Sequence, residues 1–522
     1  MRSIRRKGCL RRRVNPKLFM KSPEINLFTC LGVASCSARA CLGMASLRSQ
    51  ILPVLIAGLG LLLPGRVTGA NFTILRSFTN SDGAYPQAGL ILSGNILYGT
   101  ASQGGSLGDG TIFKMNTDGT GFTNVYSFPG LVNGTNADGA NPLAGLVLSG
   151  NTLYGTANGG GSESGFVNFG TVFAVNTNGL GFTTLHNFAG GSDGANPQAG
   201  LVLSNNTLFG TTTAGGNDGN GTLFKVGTDG LHYTNLYSFT ATDPDTSTNT
   251  DGADPQAGLV LSGGTLYGTA QYGGNSGNGT IFAISTNGTR FTNLYSFSGL
   301  YFGTNSDGAL PLAGLILSGN TLYGTASYGG SLGNGTVFSI KTDGTGFTNF
   351  YNFTGGFTQG AIPQAGLVLS GNTLYGTTSQ GGTGGGTGTA FAVNTDGTSF
   401  TNLYNFQNGY GGVDPLAGLV LSGSTLYGTA NQGADSLSYN YGTVFRIVLA
   451  TASAPLLAIR LSGSNVILTW TNTASGFTLL FSPNLVPPGV WGTNTPVPVV
   501  VNGQYTVTNS ISGTQKFYRL IQ

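Results

Sequence analysis

Aspartate recurs in one setting, an Asp-Gly-Ala triplet shortly before a proline, at Asp82, Asp138, Asp193, Asp251 and Asp307. Carboxylates repeated in this way suggest a cation site. Two of them, among Asp82, Asp193 and Asp251, could also flank a glycosidic bond as acid and base. A plainer reading competes with both. Asp bonds nearby backbone amides and Gly supplies a positive φ, so the same triplet describes a turn. A reaction centre needs residues found in one place, and this triplet is written many times, so the turn is the preferred reading.

Other chemistry is sparse. The loop "TDPDTSTNTDGAD" carries Asp243, Asp245, Asp251 and Asp254, a weak candidate for Ca²⁺ held by oxygen ligands. Its spacing lacks the Glu that an EF-hand places twelfth, and a solvated acidic loop is preferred. His186 and His232 are the two histidines, both at or beside strands expected at the outside of the fold, and a chance surface placement is the preferred reading for each. All four cysteines precede residue 42, so no transition-metal site and no Cys nucleophile is expected beyond them. Asp118, Asp229, Asp343 and Asp396 sit in "TDG" hairpin turns. No cofactor is expected. The readings lean away from an enzyme, with an extracellular carbohydrate-active enzyme or a purely structural envelope repeat as the alternatives.

The elements that must position any site come from repetition. A unit of roughly 50–60 residues begins at Phe72, Phe122, Phe182, Tyr233, Phe291, Phe347 and Phe400. Each unit holds four short runs rich in Val, Leu, Phe, Tyr and Thr, punctuated by Gly, Asn and Asp. In the second these are "FTNVYSF", "AGLVLSG", "NTLYGTA" and "GTVFAVN". Four antiparallel strands repeated seven times predict an all-β chain with a seven-bladed β-propeller over 71–449. The small residues of "AGLVLS" suit the crowded innermost strand, and "FTNLYSF" is then outermost. The first such segment, 72–78, has no sheet of its own and is expected to pair with 442–448 and latch the ring. The Asp-Gly-Ala aspartates would then ring the mouth of the central channel.

Two connections in each unit are fixed in length and two vary. From the Phe closing the outer strand to the next Pro, the intervening residues number between 7 and 15. Alternate connections of an up-and-down sheet lie on opposite faces, so the variable pair shares one face, where function is usually built. Aromatic residues concentrate there: Phe166, Phe169, Tyr301, Phe302, Phe357, Tyr410, Tyr439 and Tyr441, with Tyr272 and Tyr328 where other units carry Gln or Gly. Glu163, the single Glu after residue 70, is in the same set of loops. Rings on a polar Gly/Asn platform suit a sugar or a partner's apolar patch, although each ring could instead pin its own loop.

"AGLVLSGNTLYGTT…GG…GNGTVFKV…TDGTGFTNLYSF" resembles the Gloeo-Verruco (GloVer) tandem repeat of secreted bacterial proteins, over about 72–448. The resemblance implies a propeller-like secreted protein and implies no reaction. After a small-residue linker at 450–455, the segment 456–522 reads as strands and holds both tryptophans, Trp470 and Trp491. A small β-sandwich of the immunoglobulin or fibronectin type III kind is expected. It is similar to C-terminal modules ending in "FYRL" that secreted proteins of such bacteria carry, for which anchoring or spacing is the expected role.

Composition and charge set the compartment and the partners. Of 522 residues, 90 are Gly, without a Gly-X-Y period, and 7% are charged. Residues 1–70 hold 12 of the 21 basic residues and one acid, which leaves 9 basic against 17 acidic residues, a net of −8. That body has no electrostatic footprint for nucleic acid. "ILPVLIAGLGLLLPG" at 51–65, with Arg48 before it and "VTGA" after it, reads as a secretory signal with cleavage after Ala70. Met44 is an alternative start, and an uncleaved membrane anchor is the competing reading. The expectation is a secreted monomer at or outside the cell surface, with no membrane span after cleavage. Its partner would be an extracellular glycan or protein.

Overall fold

The computed structural model describes residues 70–132, 136–161, 168–356, 359–383, 386–407, 412–433, 440–449, 457–471, 478–483, 491–510 and 516–521. Residues 1–69, nearly all of the segment 1–70 expected to be a signal, and the expected linker 450–455 lie outside them. No helix occurs among the described residues.

Each repeat folds into one four-stranded antiparallel sheet. In the first, Ile91–Ser93, Ile96–Ala101, Thr111–Asn116 and Thr123–Ser127 pair in sequence order. The inner hairpin turns at Gly94, whose φ of 58° suits a two-residue turn that matches strand twist. Outward along the sheet, Gly99 is required by packing. A Cβ there would lie 2.5 Å from the Phe113 ring and 2.7 Å from Leu90. The "YGT" glycine is therefore the notch into which the "GT-x-F" phenylalanine fits.

Seven such sheets cover the repeats, and the last is completed by the first segment. Asn71–Ser77 pairs antiparallel with Thr443–Val448, from Asn71 opposite Val448 to Ser77 opposite Thr443. The expected latch is present. It covers the outer edge of strand Thr443–Val448, which would otherwise be free to pair with another chain.

The hydrophobic core lies between sheets. One cluster joins Tyr98, Ile112 and Phe128 of the first sheet to Leu146, Leu153 and Phe173 of the second. An equivalent cluster joins Tyr427 and Val444 of the last sheet to Leu90, Leu97 and Phe113 of the first. Hydrogen bonds follow the same circuit. Thr100 Oγ1 donates to the Ala144 carbonyl (3.0 Å), Thr156 Oγ1 to Ala199 (3.1 Å), and so on around to Thr429 Oγ1, which donates to Ala88 (3.1 Å).

At the centre the "AGL" glycines approach one another in a closed cycle. A Cβ on Gly145 would lie 3.2 Å from the Gly89 carbonyl, and one on Gly89 3.4 Å from the Gly418 carbonyl. This confirms that "AGLVLS" is innermost, since only strands without side chains at that position approach so closely.

Beyond the repeats, Ala458–Ser462, Asn465–Thr471, Gln504–Ser510 and Val499–Val501 form one sheet. Gly492–Thr493, Thr478–Ser482 and Phe517–Ile521 form another. Leu468, Trp470 and Val507 of the first pack with Leu479, Tyr518 and Leu520 of the second.

Candidate functional site

The two variable connections of each repeat zip together by backbone hydrogen bonds. Ala84 N donates to the Gln103 carbonyl (2.7 Å) and Gln103 N returns to Ala84 (3.0 Å). The same exchange links Ala253 with Tyr272 and Ala309 with Tyr328. The expectation that both connections share one face follows directly.

On that face two of the aromatic positions are open to solvent at a loop tip. Tyr301 is 75% exposed and Phe302 is 91% exposed, and their rings meet edge-on, 4.6 Å apart. The loop is tied. Tyr301 N donates to the Thr304 carbonyl (2.8 Å) and Thr304 N to Tyr301 (3.1 Å). Phe302 takes φ 49° and Gly303 φ 82° at the centre of the turn. A bulky residue in the left-handed region is disfavoured, and such strain gathers at ligand sites. Tyr272 and Tyr328, each 41% exposed, occupy equivalent positions in adjacent repeats.

The other aromatics divide. Phe169 and Tyr441 are partly buried seam residues. Phe169 lies so close to Gly190 that a Cβ there would come within 2.4 Å of its ring. Its carbonyl accepts Asn196 N (2.8 Å). Tyr441 packs edge-on to Tyr85, with centroids 6.2 Å apart, and its carbonyl accepts Tyr85 N (2.8 Å). For these two, pinning a loop is the observed arrangement. Phe166, Phe357, Tyr410, Tyr439 and Glu163 lie outside the described residues.

The Asp-Gly-Ala aspartates do not ring the channel. Each reaches outward to the outermost strand. Asp251 accepts Tyr237 Oη (2.8 Å), Thr240 N (2.9 Å) and Thr240 Oγ1. Asp307 accepts Tyr295 Oη (2.8 Å) and Ser298 N (2.8 Å), and Asp138 accepts Tyr126 Oη. Asp193 meets His186 Nε2 at 3.3 Å, and Asp82 is paired with Arg76. In the sixth repeat Gln359 substitutes, accepting Tyr351 Oη at 2.6 Å. Local backbone amides are bonded too, so the turn reading holds, but its purpose is to grip the outer strand. Burial, and then the adjacent carboxylate, push Tyr126, Tyr237 and Tyr295 above the ordinary tyrosine range.

His186 is therefore no chance placement. It stands where other repeats put Tyr, and its ring stacks on Tyr233 at 3.7 Å, as Tyr237 stacks on Phe291 at 4.0 Å. At the closing seam the position is Arg76, whose guanidinium lies 4.3 Å from the Phe122 centroid. The register of the outer strand carried this signal, two residues before the buried Phe.

The channel is lined by the residue after each Pro: Gln87, Leu143, Gln198, Gln256, Leu312, Gln364 and Leu416. The cavity measures about 190 Å³ and its lining carries no charge. Asp82, Asp193 and Asp251 are each held by their own outer strand, so they do not meet as a glycosidase pair.

Nor do the four carboxylates of the acidic loop form one site. Asp251 is 2% exposed and fully engaged. Asp243 is exposed and caps its own turn, bonding Thr246 Oγ1 (2.8 Å), Thr246 N and Asp245 N, which lowers its pKa. Burial raises that of Asp254. Among the described residues no three His, Cys, Asp or Glu side chains gather as metal ligands.

Comparison with known families gives a match to the Gloeobacter/Verrucomicrobia repeat at 59–250, 245–385 and 297–466, overlapping spans that cover most of the chain. The chain belongs to this repeat family. The matched spans take in every repeat from Phe72 to Phe400. Comparison with curated protein sequences gives no match. Among solved structures, the chain is similar to an oligogalacturonate lyase in complex with manganese (10% identity, 74% of this chain and 94% of that one, TM-score 0.44). It is also similar to the N-terminal domain of Nup159 (11%, 72% and 94%, TM-score 0.42) and to a chain of a nidogen/laminin complex (15%, 59% and 93%, TM-score 0.35).

Proposed function

We propose that this repeat protein is a secreted or cell-surface binding module. In this reading residues 71–449 are a seven-bladed β-propeller and 456–522 a β-sandwich of the immunoglobulin or fibronectin type III kind, which anchors or spaces it. The propeller works as a monomer and presents its variable face to an extracellular glycan.

One observation carries the reading. Tyr301 and Phe302 stand exposed on a tight turn whose backbone is bonded at both sides, with Phe302 at positive φ. The two-residue turn sets the positive φ at Phe302, but it does not call for a large apolar ring held 91% exposed in water. A preorganised aromatic tip does account for it, because little entropy is then lost when a ligand docks. Tyr272 and Tyr328 supply further rings on the same face, with Thr213, Asn220 and Thr242 beside Tyr272 for sugar hydroxyls.

The test is a glycan array probed with residues 71–522, comparing the parent with a Tyr301→Ala/Phe302→Ala variant. The reading requires selective retention by the parent and loss in the variant.

A further inference from the structure

The third repeat departs from the common pattern at several places, and these departures meet at one cavity. Phe209 stands where the other six repeats have Tyr. Gly227 stands where others have residues such as Asn116, Asn176 and Asn394, and His232 where others have residues such as Gly121 and Gly181. All three, with Lys225, line a cavity of about 560 Å³, well within the range of small-molecule sites. It opens among the fixed-length turns, on the opposite face from Tyr301 and Phe302.

The departures make the space and furnish it. Elsewhere the residue equivalent to Gly227 closes the turn: Asn116 Nδ2 donates to Thr120 Oγ1 (2.9 Å) and Asn394 Nδ2 to Thr398 Oγ1 (3.1 Å). In the third repeat that Thr is Leu231. Gly227 is not at positive φ, so the backbone does not demand glycine there. Its effect is to admit the Asp229 carboxylate, since a Cβ at Gly227 would lie 2.3 Å from Asp229 Oδ1 and 2.9 Å from the Leu231 carbonyl. Lys114, equivalent to Lys225, donates to the Thr177 carbonyl of the next sheet at 2.9 Å. Lys225 faces the corresponding Thr286 across the cavity and makes no hydrogen bond among the described residues. Asp229 spends one oxygen on Leu231 N (3.0 Å). The amides of Asn206 and Asn287 complete the lining.

We infer that this cavity binds a small hydroxylated organic acid, of the size and chemistry of a hexuronate. The Lys225 ammonium meets the carboxylate, and the second Asp229 oxygen and the two amides take the hydroxyls. His232 closes the outer side, and Phe209 forms a floor from which the usual hydroxyl has been removed.

Calorimetric titration of the protein with D-glucuronate tests this, with D-glucose and inorganic phosphate as comparison probes. The variants are Lys225→Ala, and Gly227→Asn and His232→Gly, which restore the residues other repeats carry. Glucuronate is expected to bind, with glucose and phosphate weaker. Lys225→Ala is expected to weaken glucuronate about tenfold or more, as for a lost hydrogen bond to a charged group, with unchanged Tm, and Gly227→Asn to weaken it by displacing the Asp229 carboxylate. The inference is overturned if glucuronate gives no binding heat, if glucose or phosphate binds as well, or if the folded variants keep the parent affinity.

Discussion

The hydroxyl of Tyr237 donates to the Asp251 carboxylate at 2.8 Å, and the Tyr237 ring stacks on Phe291 at 4.0 Å. One side chain thus ties its own sheet to the loop leading into the next sheet and to that sheet's outer strand. Replacing Asp251 by Ala leaves the Tyr237 and Thr240 hydroxyls without their acceptor, at a cost of about 1–3 kcal/mol. Asp243→Ala, at an exposed turn, should cost much less. Denaturant unfolding of both variants checks the contrast. Adding Ca²⁺ or a chelator should leave the parent Tm unchanged, because these two carboxylates are committed to different partners.

The raised tyrosines give stability a pH dependence with a definite sign. Tyr126, Tyr237 and Tyr295 titrate above the ordinary value of 10.0 when folded, by burial first and then by their carboxylate partners. Above pH 10 the unfolded chain loses these protons while the folded chain keeps them, so stability falls as pH rises. Their contribution is fully present below pH 10. Chevron or denaturant measurements across this window should show the decline, and Tyr237→Phe should make it shallower.

The latch makes a stability prediction. Removing 72–80 deletes the strand Asn71–Ser77 and bares the outer edge of Thr443–Val448. The truncated protein should melt well below the parent and form oligomers, because an unpaired edge recruits other chains. Light scattering and a thermal melt read both effects. A truncated monomer that melts like the parent would refute the closure.

Phe302 carries strain that function would explain. Relieving it with Phe302→Gly should raise stability by about 1 kcal/mol, since glycine adopts positive φ without penalty. Most Phe→Gly changes destabilise. A loss of stability would mean the ring is held by packing, against its 91% exposure.

Much of this architecture could be read from the repeats, because period, strand order and loop lengths are properties of sequence spacing. The latch was legible because 72–78 had no partner of its own. The destination of the Asp-Gly-Ala aspartates was not. Whether Asp251 points to the channel or to Tyr237 depends on how the loop folds back, which spacing does not encode. His186 was misread because a histidine in a tyrosine position signals only once the outer strand is known to stack on its neighbour. Phe169 and Tyr441 counted as loop aromatics by position, yet the seam takes them up. The cavity at Lys225 was overlooked because its departures, though visible in alignment, lie on the face where lengths never vary.

The central claim is that the variable face binds ligand through its exposed aromatic tip. The most direct measurement is the affinity of the best array glycan for three proteins: the parent, Tyr301→Ala/Phe302→Ala, and Asn151→Ala in a fixed-length turn. Stacking on an aromatic ring is worth about 1–3 kcal/mol by analogy with nucleic-acid bases. The double variant should therefore bind at least about tenfold more weakly at unchanged Tm, and Asn151→Ala should bind like the parent. A ligand that ignores the loss of both rings, or an array on which the parent retains nothing, would contradict the account.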